Sequence, residues 1–439
     1  MKRISRRDFA RIGVAGIGAT ALRSLAAEEM RMPAKPAGIP TMWIGAVTPD
    51  GGVVKVKLPS HADARLLVRA PDAEAISFPP EPAVEKSGTV RTFRLRGLAA
   101  LTRYSCTLEV NGRASSYPPA TLRTFPTPGD AASFSFSFGS CARTGSEHQV
   151  FETIQKRDPA FFLHLGDLHY ANISRDDPQY FRAAWDTVLA STTQGALYRT
   201  VPLAYVWDDH DFGPNDSDAR SPSRAAARRV YREYAPHYPL PAGSGNAAIH
   251  QAFSIGRARF IMTDLRSERS AKNVRDGAAK TMLGAAQKEW FKRELADASR
   301  SHAVVFWASS VPWIGAADHG DAWPGYSDER REIASFIAQN GIRNLVILCG
   351  DAHMLAADDG RNSDYTGVRG LRLPVLHGSP LDQGASRQGG PYSHGVHLPG
   401  PGEGCFGWVD VRDEGGGVRV EFTGCDEFGE AKVRIDFAV

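Results

Sequence analysis

From Ala131 onward the apolar positions fall into short runs separated by stretches with helical spacing. Ser133 to Phe138 alternates serine with phenylalanine, the period of two expected of a strand with unlike faces. The mainly apolar run Phe161–Leu165 predicts a buried strand, and strands are also predicted at Leu203–Trp207, Arg259–Leu265, Ala303–Trp307 and Leu345–Cys349. Helices are predicted over Gln149–Arg157, Gln179–Ala190, Ser223–Tyr234, Gly284–Ala298 and Ser327–Asn340. The alternation predicts a layered α/β domain over residues 131–439, returning beyond Pro374 to short strands and a Gly/Pro/His-rich loop from Gly378 to Gly404.

Upstream the texture is different. From Thr41 to Phe125 every signal is β: Val53–Leu58, Thr92–Arg96, Tyr104–Val110 with its Asn111-Gly112 turn, and Thr121–Phe125. Pro126-Thr127-Pro128-Gly129 reads as a hinge, which predicts a small all-β domain over 41–126. Residues 28–40 read as a linker. No internal repeat is evident.

Composition is that of an ordinary globular chain, with 42% hydrophobic and 23% charged residues, so it adds little beyond the charge distribution. Residues 1–26 hold six basic side chains (Lys2, Arg3, Arg6, Arg7, Arg11, Arg23) against Asp8, and account for the formal charge of +3. The remainder is slightly acidic and offers no electrostatic case for nucleic acid as a dedicated partner. Ser5-Arg6-Arg7-Asp8-Phe9, the apolar Ile12–Leu22 and the small residues at Ser24–Ala27 form a twin-arginine leader pattern over residues 1–27. It predicts export by the twin-arginine machinery to the periplasm or the exterior. The apolar span is too short for a transmembrane segment. The five cysteines, Cys106, Cys141, Cys349, Cys405 and Cys425, are an odd number for an exported chain. Cys349 reads as a core residue, and whether Cys405 and Cys425 pair is open.

The chemistry lies at the carboxyl ends of the predicted strands. After Phe134–Phe138 comes Gly139-Ser140-Cys141; after Phe161–Leu165, Gly166-Asp167-Leu168-His169-Tyr170. After Leu203–Trp207 comes Asp208-Asp209-His210-Asp211; after Leu345–Cys349, Gly350-Asp351-Ala352-His353. Open α/β sheets bind ligands along that rim. A single Asp there is ordinarily a turn or cap residue. Four such sets on one rim would repel one another unless cations neutralised them.

These motifs, in this order, resemble the metallophosphoesterase superfamily and more closely its alkaline phosphatase D (PhoD-like) branch. Gly166-Asp167-Leu168-x-Tyr170 is also similar to purple acid phosphatases. Gly97-Leu98 followed by Leu101-Thr102-Arg103-Tyr104 resembles a fibronectin type III-like sandwich with its corner tyrosine. The resemblance implies a layered α/β/β/α sandwich preceded by a small fibronectin III-like sandwich, and a metal-dependent hydrolase of phosphoester substrates. In such an enzyme a metal-bound hydroxide attacks phosphorus in line.

It also implies roles. Asp167 bridges two metals, with Cys141, Tyr170 and His353 on the first. Thiolate, phenolate and carboxylate together favour Fe(III). Asp209 and Asp351 join Asp167 on the second, where Ser310 in Ser309-Ser310-Val311-Pro312 replaces the superfamily's usual histidine. That oxygen-only set suits Ca2+ better than Zn2+ or Mn2+. His210 matches the catalytic histidine, with Asp211 either its orienting partner or a turn cap. Arg143, Asn215, Arg266 and His169 are the candidate substrate contacts. His377, His394 and His397 read as ordinary loop residues. Two rival readings remain at this point: Cys141 as a nucleophile activated by His210 or His353, and a calcium-stabilised extracellular binding protein. Monoester and diester substrates share the constellation, and specificity would lie in loops Ala171–Asp177, Asp211–Ser223 and Gly378–Gly404.

Overall fold

The computed structural model describes residues 41–439, less 59–61, 83–88, 319 and 368–369. The expected leader (1–27) and linker (28–40) lie outside the described residues. Two large sheets form the centre. In spatial order the nine-stranded sheet runs Ala431–Ala438, Val418–Asp426, Cys405–Asp413, Phe134–Gly139, Phe162–His164, Leu203–Tyr205, Thr41–Thr48, Gly51–Lys57 and Val90–Leu95. The seven-stranded sheet runs Gln251–Ile255, Ala258–Met262, Val304–Ser309, Leu345–Cys349, Val375–Gly378, Leu355–Asp358 and Val396–His397. The central strands of each sheet are parallel and the outer ones antiparallel.

The serine–phenylalanine alternation explains how the sheets meet. Phe136 stacks on Phe161 at 5.1 Å and meets Phe260 and Phe306 of the second sheet edge-on at 5.2 and 5.3 Å. Such pairs add about 0.5–1.5 kcal/mol each to the burial of the rings. Ser137 turns the other way, and its hydroxyl donates to the Gly407 carbonyl. Outside the second sheet, Phe291 and Leu295 of the helix Ala285–Ser301 and Ile333 and Ile337 of the helix Ser327–Gln339 pack in one core with Val305, Trp307 and Ile347. Outside the first, the helices Pro178–Ala190, Gln194–Thr200 and Arg224–Tyr234 bring Trp185, Tyr198 and Tyr231 against Tyr205 and Phe162. The result is the expected α/β/β/α layering.

The N-terminal strands depart from the simple picture of a separate domain. Thr41–Thr48, Gly51–Lys57 and Val90–Leu95 extend the nine-stranded sheet, joined by a parallel pairing of Gly45 with Leu203. A Cβ on Gly45 would sit 2.1 Å from the Leu203 carbonyl oxygen, so only glycine permits this approach. A second, five-stranded sheet of Ile76–Phe78, Ala64–Arg69, Arg103–Val110, Arg113–Ala114 and Ala120–Arg123 completes this region. Leu66, Val68 and Leu108 share one continuous core with Phe136 and Phe162. Residues 126–131 lead from the last strand of the five-stranded sheet into Phe134–Gly139 of the nine-stranded one.

The C-terminal strands are longer than expected, nine residues each for Cys405–Asp413 and Val418–Asp426. Their register places Cys405 opposite Asp426 and Phe406 opposite Cys425. Neighbouring positions point to opposite faces, so Cys405 and Cys425 do not face each other. All five cysteines are buried and free.

Candidate metal centre and active site

Three of the central strands, Phe134–Gly139, Phe162–His164 and Leu345–Cys349, run into turns that hold polar residues in the left-handed region, whereas Asp208 after Leu203–Tyr205 is extended (φ −124°). Cys141 (φ 64°), Asp167 (φ 55°), Asp351 (φ 59°) and His353 (φ 50°) all adopt the left-handed form. For non-glycine residues this costs on the order of 1–3 kcal/mol apiece and concentrates at functional sites. Gly166 (φ 97°) makes the tightest of these turns, because a Cβ there would lie 2.4 Å from that of Asp208. Backbone bonds stitch the strand ends together: Cys141 N to Gly166 O at 3.2 Å and Ala142 N to Asp167 O at 2.9 Å. Asp351 N donates to Ser140 Oγ at 3.1 Å.

Four side chains meet as a result. Asp167 Oδ2 is 2.9 Å from the Tyr170 hydroxyl and 3.5 Å from Cys141 Sγ, and His353 Nε2 is 3.1 Å from that hydroxyl. The Nδ1 of His353 donates to the Gly384 carbonyl at 2.6 Å, which leaves Nε2 as the bare nitrogen. Beside this group, Asp209 with His210, and Asp208 with Asp351, each place ligand atoms within 4.8 Å of those of Asp167. Asp167 is thus common to both halves of the site, while its Oδ1 is buried without a hydrogen-bond partner.

The electrostatics of these groups are unfavourable without a cation. Burial, then the neighbouring carboxylates, push Asp167 and Asp351 well above the usual carboxylate range. Burial, reinforced by Asp167 and Asp351, raises the Cys141 thiol, and burial raises the Tyr170 phenol. Asp209 differs. Burial opposes its charge, but Arg266, His210 and the backbone N–H groups of Asp216 and His210 hold it at about 2. Bound metal would ionise the other groups, and the soft-plus-hard donor set with an orphaned carboxylate oxygen fits metal ligation. Cys141 is fully buried with its thiol pushed up, the opposite of an activated nucleophile.

Ser310 is not in the cavity; it is buried and donates to Asp208 Oδ1 at 2.7 Å. The remaining predicted residues separate into those at the cavity and those behind it. A cavity of about 340 Å³ is lined by Asp167, Asp209, His210, Asn215, Asp351 and His353, joined by Asp216, Lys272, Asp321, Ser386 and Gln388. His210 lies with its ring 4.1 Å from that of Tyr170. Asp211 does not orient it. Its carboxylate turns inward to accept from the N–H groups of Asp208 and His169 at 3.2 and 3.1 Å, closing a capping box. Asn172 takes the orienting position, with Oδ1 2.5 Å from His210 Nδ1.

Two expected substrate contacts are corrected. Arg266 is fully buried, its guanidinium bonded to both oxygens of Asp208 at 2.6 and 2.9 Å and to Asp321 at 2.7 Å. His169 is also fully buried, its ring 6.5 Å from that of Phe181, and does not line the cavity. Arg143 is exposed but outside the cavity lining; its backbone N–H donates to Asp382. Of the residues missed, Asp208 stood inside a noted motif and Asn172 two places beyond Tyr170. Ser386 and Gln388 lie within the noted loop Gly378–Gly404, whereas Lys272 and Asp321 come from distant loops with no local signature.

A family model for PhoD-like phosphatases matches residues 136–387. No curated protein matches the chain. A solved structure of PhoD superposes with a TM-score of 0.70 over 91% of both chains at 18% identity. The purple acid phosphatase PPD1 from yellow lupin (Lupinus luteus) seeds gives a TM-score of 0.63 over 91% of this chain and 74% of its own at 13% identity. At these identities the likeness is one of fold.

Proposed function

This chain belongs to the PhoD-like phosphatase family, phosphoester hydrolases with metal-dependent catalysis, and on that premise we propose an assignment for its residues. Cys141, Tyr170, His353 and Asp167 hold Fe(III), and Asp167, Asp209 and Asp351 hold Ca2+, with Zn2+ or Mn2+ as alternatives at that second position. The observation that carries the reading is the convergence of thiol, phenol, imidazole and carboxylate on one point, beside a buried carboxylate oxygen with no other partner.

When bound, the metals supply Lewis-acid charge and activate the attacking water. The chain's own residues do the rest. A water oxygen forms its bond to phosphorus as the opposite P–O bond breaks. His210, held through Nδ1 by Asn172, lines the cavity; in its doubly protonated form it gives the departing oxygen a proton from Nε2, and the proton released by the attacking water restores that form. Of the cavity lining, Asp167 and Asp209 are buried while Asn215 and Ser386 are exposed, so the ester enters past Asn215 and Ser386.

Three further assignments belong to this reading. The leader directs export by the twin-arginine pathway. Residues 41–126 form a fibronectin III-like module ahead of the catalytic region 131–439. Two antiparallel layers support the module, as does the Tyr104 hydroxyl accepting from Ala99 N at 2.8 Å, the contact of a corner tyrosine. Among the described residues no helix is long and apolar enough to cross a membrane. The test is hydrolysis of aryl phosphate mono- and diesters by the full chain before and after chelation, with elemental analysis. Activity that survives complete metal removal, or is abolished by iodoacetamide on the metal-loaded enzyme, overturns the assignment.

A further inference from the structure

The cavity is strongly one-sided in charge. Five carboxylates line it, from Asp167, Asp209, Asp216, Asp321 and Asp351, and among its lining residues Lys272 alone is a lysine or arginine. The two arginines expected from sequence to meet an anionic substrate are elsewhere, Arg266 sealed behind Asp208 and Arg143 outside the lining. Lys272 Nζ rests against Asp216 Oδ2, with the side chain 47% exposed at the cavity mouth. Asp216 is itself fastened next to the metal ligands, its N–H donating to Asp209 Oδ2 at 2.6 Å. The backbone of Lys272 is fixed from behind, where its carbonyl accepts from Lys280 Nζ at 2.8 Å. A fixed base therefore carries a flexible four-carbon stem with a half-exposed head. That head has three N–H donors, of which Asp216 occupies one.

We propose that Lys272 is the residue that grips the phosphoryl group and biases this site toward dianionic phosphomonoesters over monoanionic diesters. The inference rests on the phosphoester-hydrolase reading above. An ammonium acts on phosphate as a point charge, so its attraction scales with substrate charge. A dianion gains about twice the Coulomb energy of a monoanion at the same distance. The second ester group of a diester also covers one oxygen that the ammonium could otherwise bind. Because Lys272 does not carry the proton for the leaving group, its effect falls on binding.

The experiment compares the full metal-loaded chain with K272M and K272R, using p-nitrophenyl phosphate, bis(p-nitrophenyl) phosphate and inorganic phosphate as a competitive inhibitor. K272M is expected to raise KM for the monoester and the inhibition constant for phosphate by about tenfold, the loss of one charge-assisted bond. KM for the diester should move by no more than about threefold, and kcat for either by no more than about twofold. K272R should restore most of the monoester effect. Equal shifts for both esters, an unmoved phosphate constant, or loss of metal from K272M by elemental analysis would each overturn the proposal. A wild-type enzyme that cleaves neither ester would instead overturn the functional reading beneath it.

Discussion

Nδ1 of His210 lies 2.5 Å from Oδ1 of Asn172, a residue 38 positions earlier in the chain. An amide oxygen only accepts, so the ring donates from Nδ1 and Nε2 is the nitrogen left for the substrate. Nε2 is also 4.0 Å from Asp209 Oδ1, which ties the orientation of the imidazole to the carboxylates beside it. Asn172 holds its side chain in place from a left-handed backbone position (φ 49°). Asn172→Ala should lower kcat about tenfold with little change in KM, since proton delivery rather than binding loses its geometry. Asn172→Asp retains the acceptor and should recover most of kcat. A variant that changes only KM would show that Asn172 contacts substrate instead of positioning His210.

Asp211 should behave in the opposite way. Its carboxylate satisfies the N–H groups of Asp208 and His169 inside the protein, so Asp211→Ala strands two buried donors. Each stranded donor costs about 1–3 kcal/mol. Denaturant unfolding should register that loss. If stability is unchanged while kcat collapses, the capping role fails.

The proposed iron ligands give a visible signal. A Tyr170 phenolate on Fe(III) should colour the metal-loaded protein, and Tyr170→Phe should bleach it while leaving the fold intact. Asp167→Ala removes the carboxylate shared by both halves of the site, and elemental analysis should find both metals depleted. A colourless wild-type holoenzyme without iron contradicts the first expectation. Full occupancy of either metal in Asp167→Ala contradicts bridging.

Arg266 separates structural from substrate roles. Removing its guanidinium leaves Asp208 buried without its cation, while Asp321 keeps Arg269 at 3.0 Å. Breaking a buried ion pair from one side typically costs about 3–5 kcal/mol. Arg266→Met should therefore lower the denaturation midpoint sharply. A stable Arg266→Met enzyme whose only defect is a raised KM would return Arg266 to the substrate.

The contrast among these residues shows what could be read along the chain. Strand and polar residues follow one another directly or across a glycine, so Cys141, Asp167, Tyr170, Asp209, Asp351 and His353 were legible as one rim before any packing was known. The two alternatives for Asp211 needed the positions of two N–H groups, one of them at His169, 42 residues away. Burial separates Arg266 and His169 from Asn215, although all four candidate contacts are polar residues following strands or turns. Lys272 and Asp321 enter the cavity from loops whose local sequence predicts only turns. The parallel pairing that joins the N-terminal strands to the α/β sheet is registered at Gly45 with Leu203, across 158 positions; strand periodicity carries no information about which edge a strand will find.

The interior histidines predict how stability responds to acid. Burial pushes His164 and His377 down to about 3, from an ordinary value near 6.5. Both ring nitrogens of His377 lack hydrogen-bond partners, so nothing in the fold compensates a charge there. Below about pH 6.5 the unfolded chain takes up protons that the folded protein refuses until about pH 3. Their contribution to stability is therefore complete above about pH 6.5 and is lost as pH falls through that window, by about 1.4 kcal/mol per histidine per pH unit. His377 stands in the strand Val375–Gly378 with its ring 5.2 Å from that of Tyr392, where a phenyl ring can replace it. His377→Phe should flatten the fall in unfolding free energy between pH 6 and pH 4 by close to one proton's slope, measured by denaturant titration at each pH. Superimposable pH profiles for wild type and His377→Phe would show that His377 is already charged in the folded protein at pH 6.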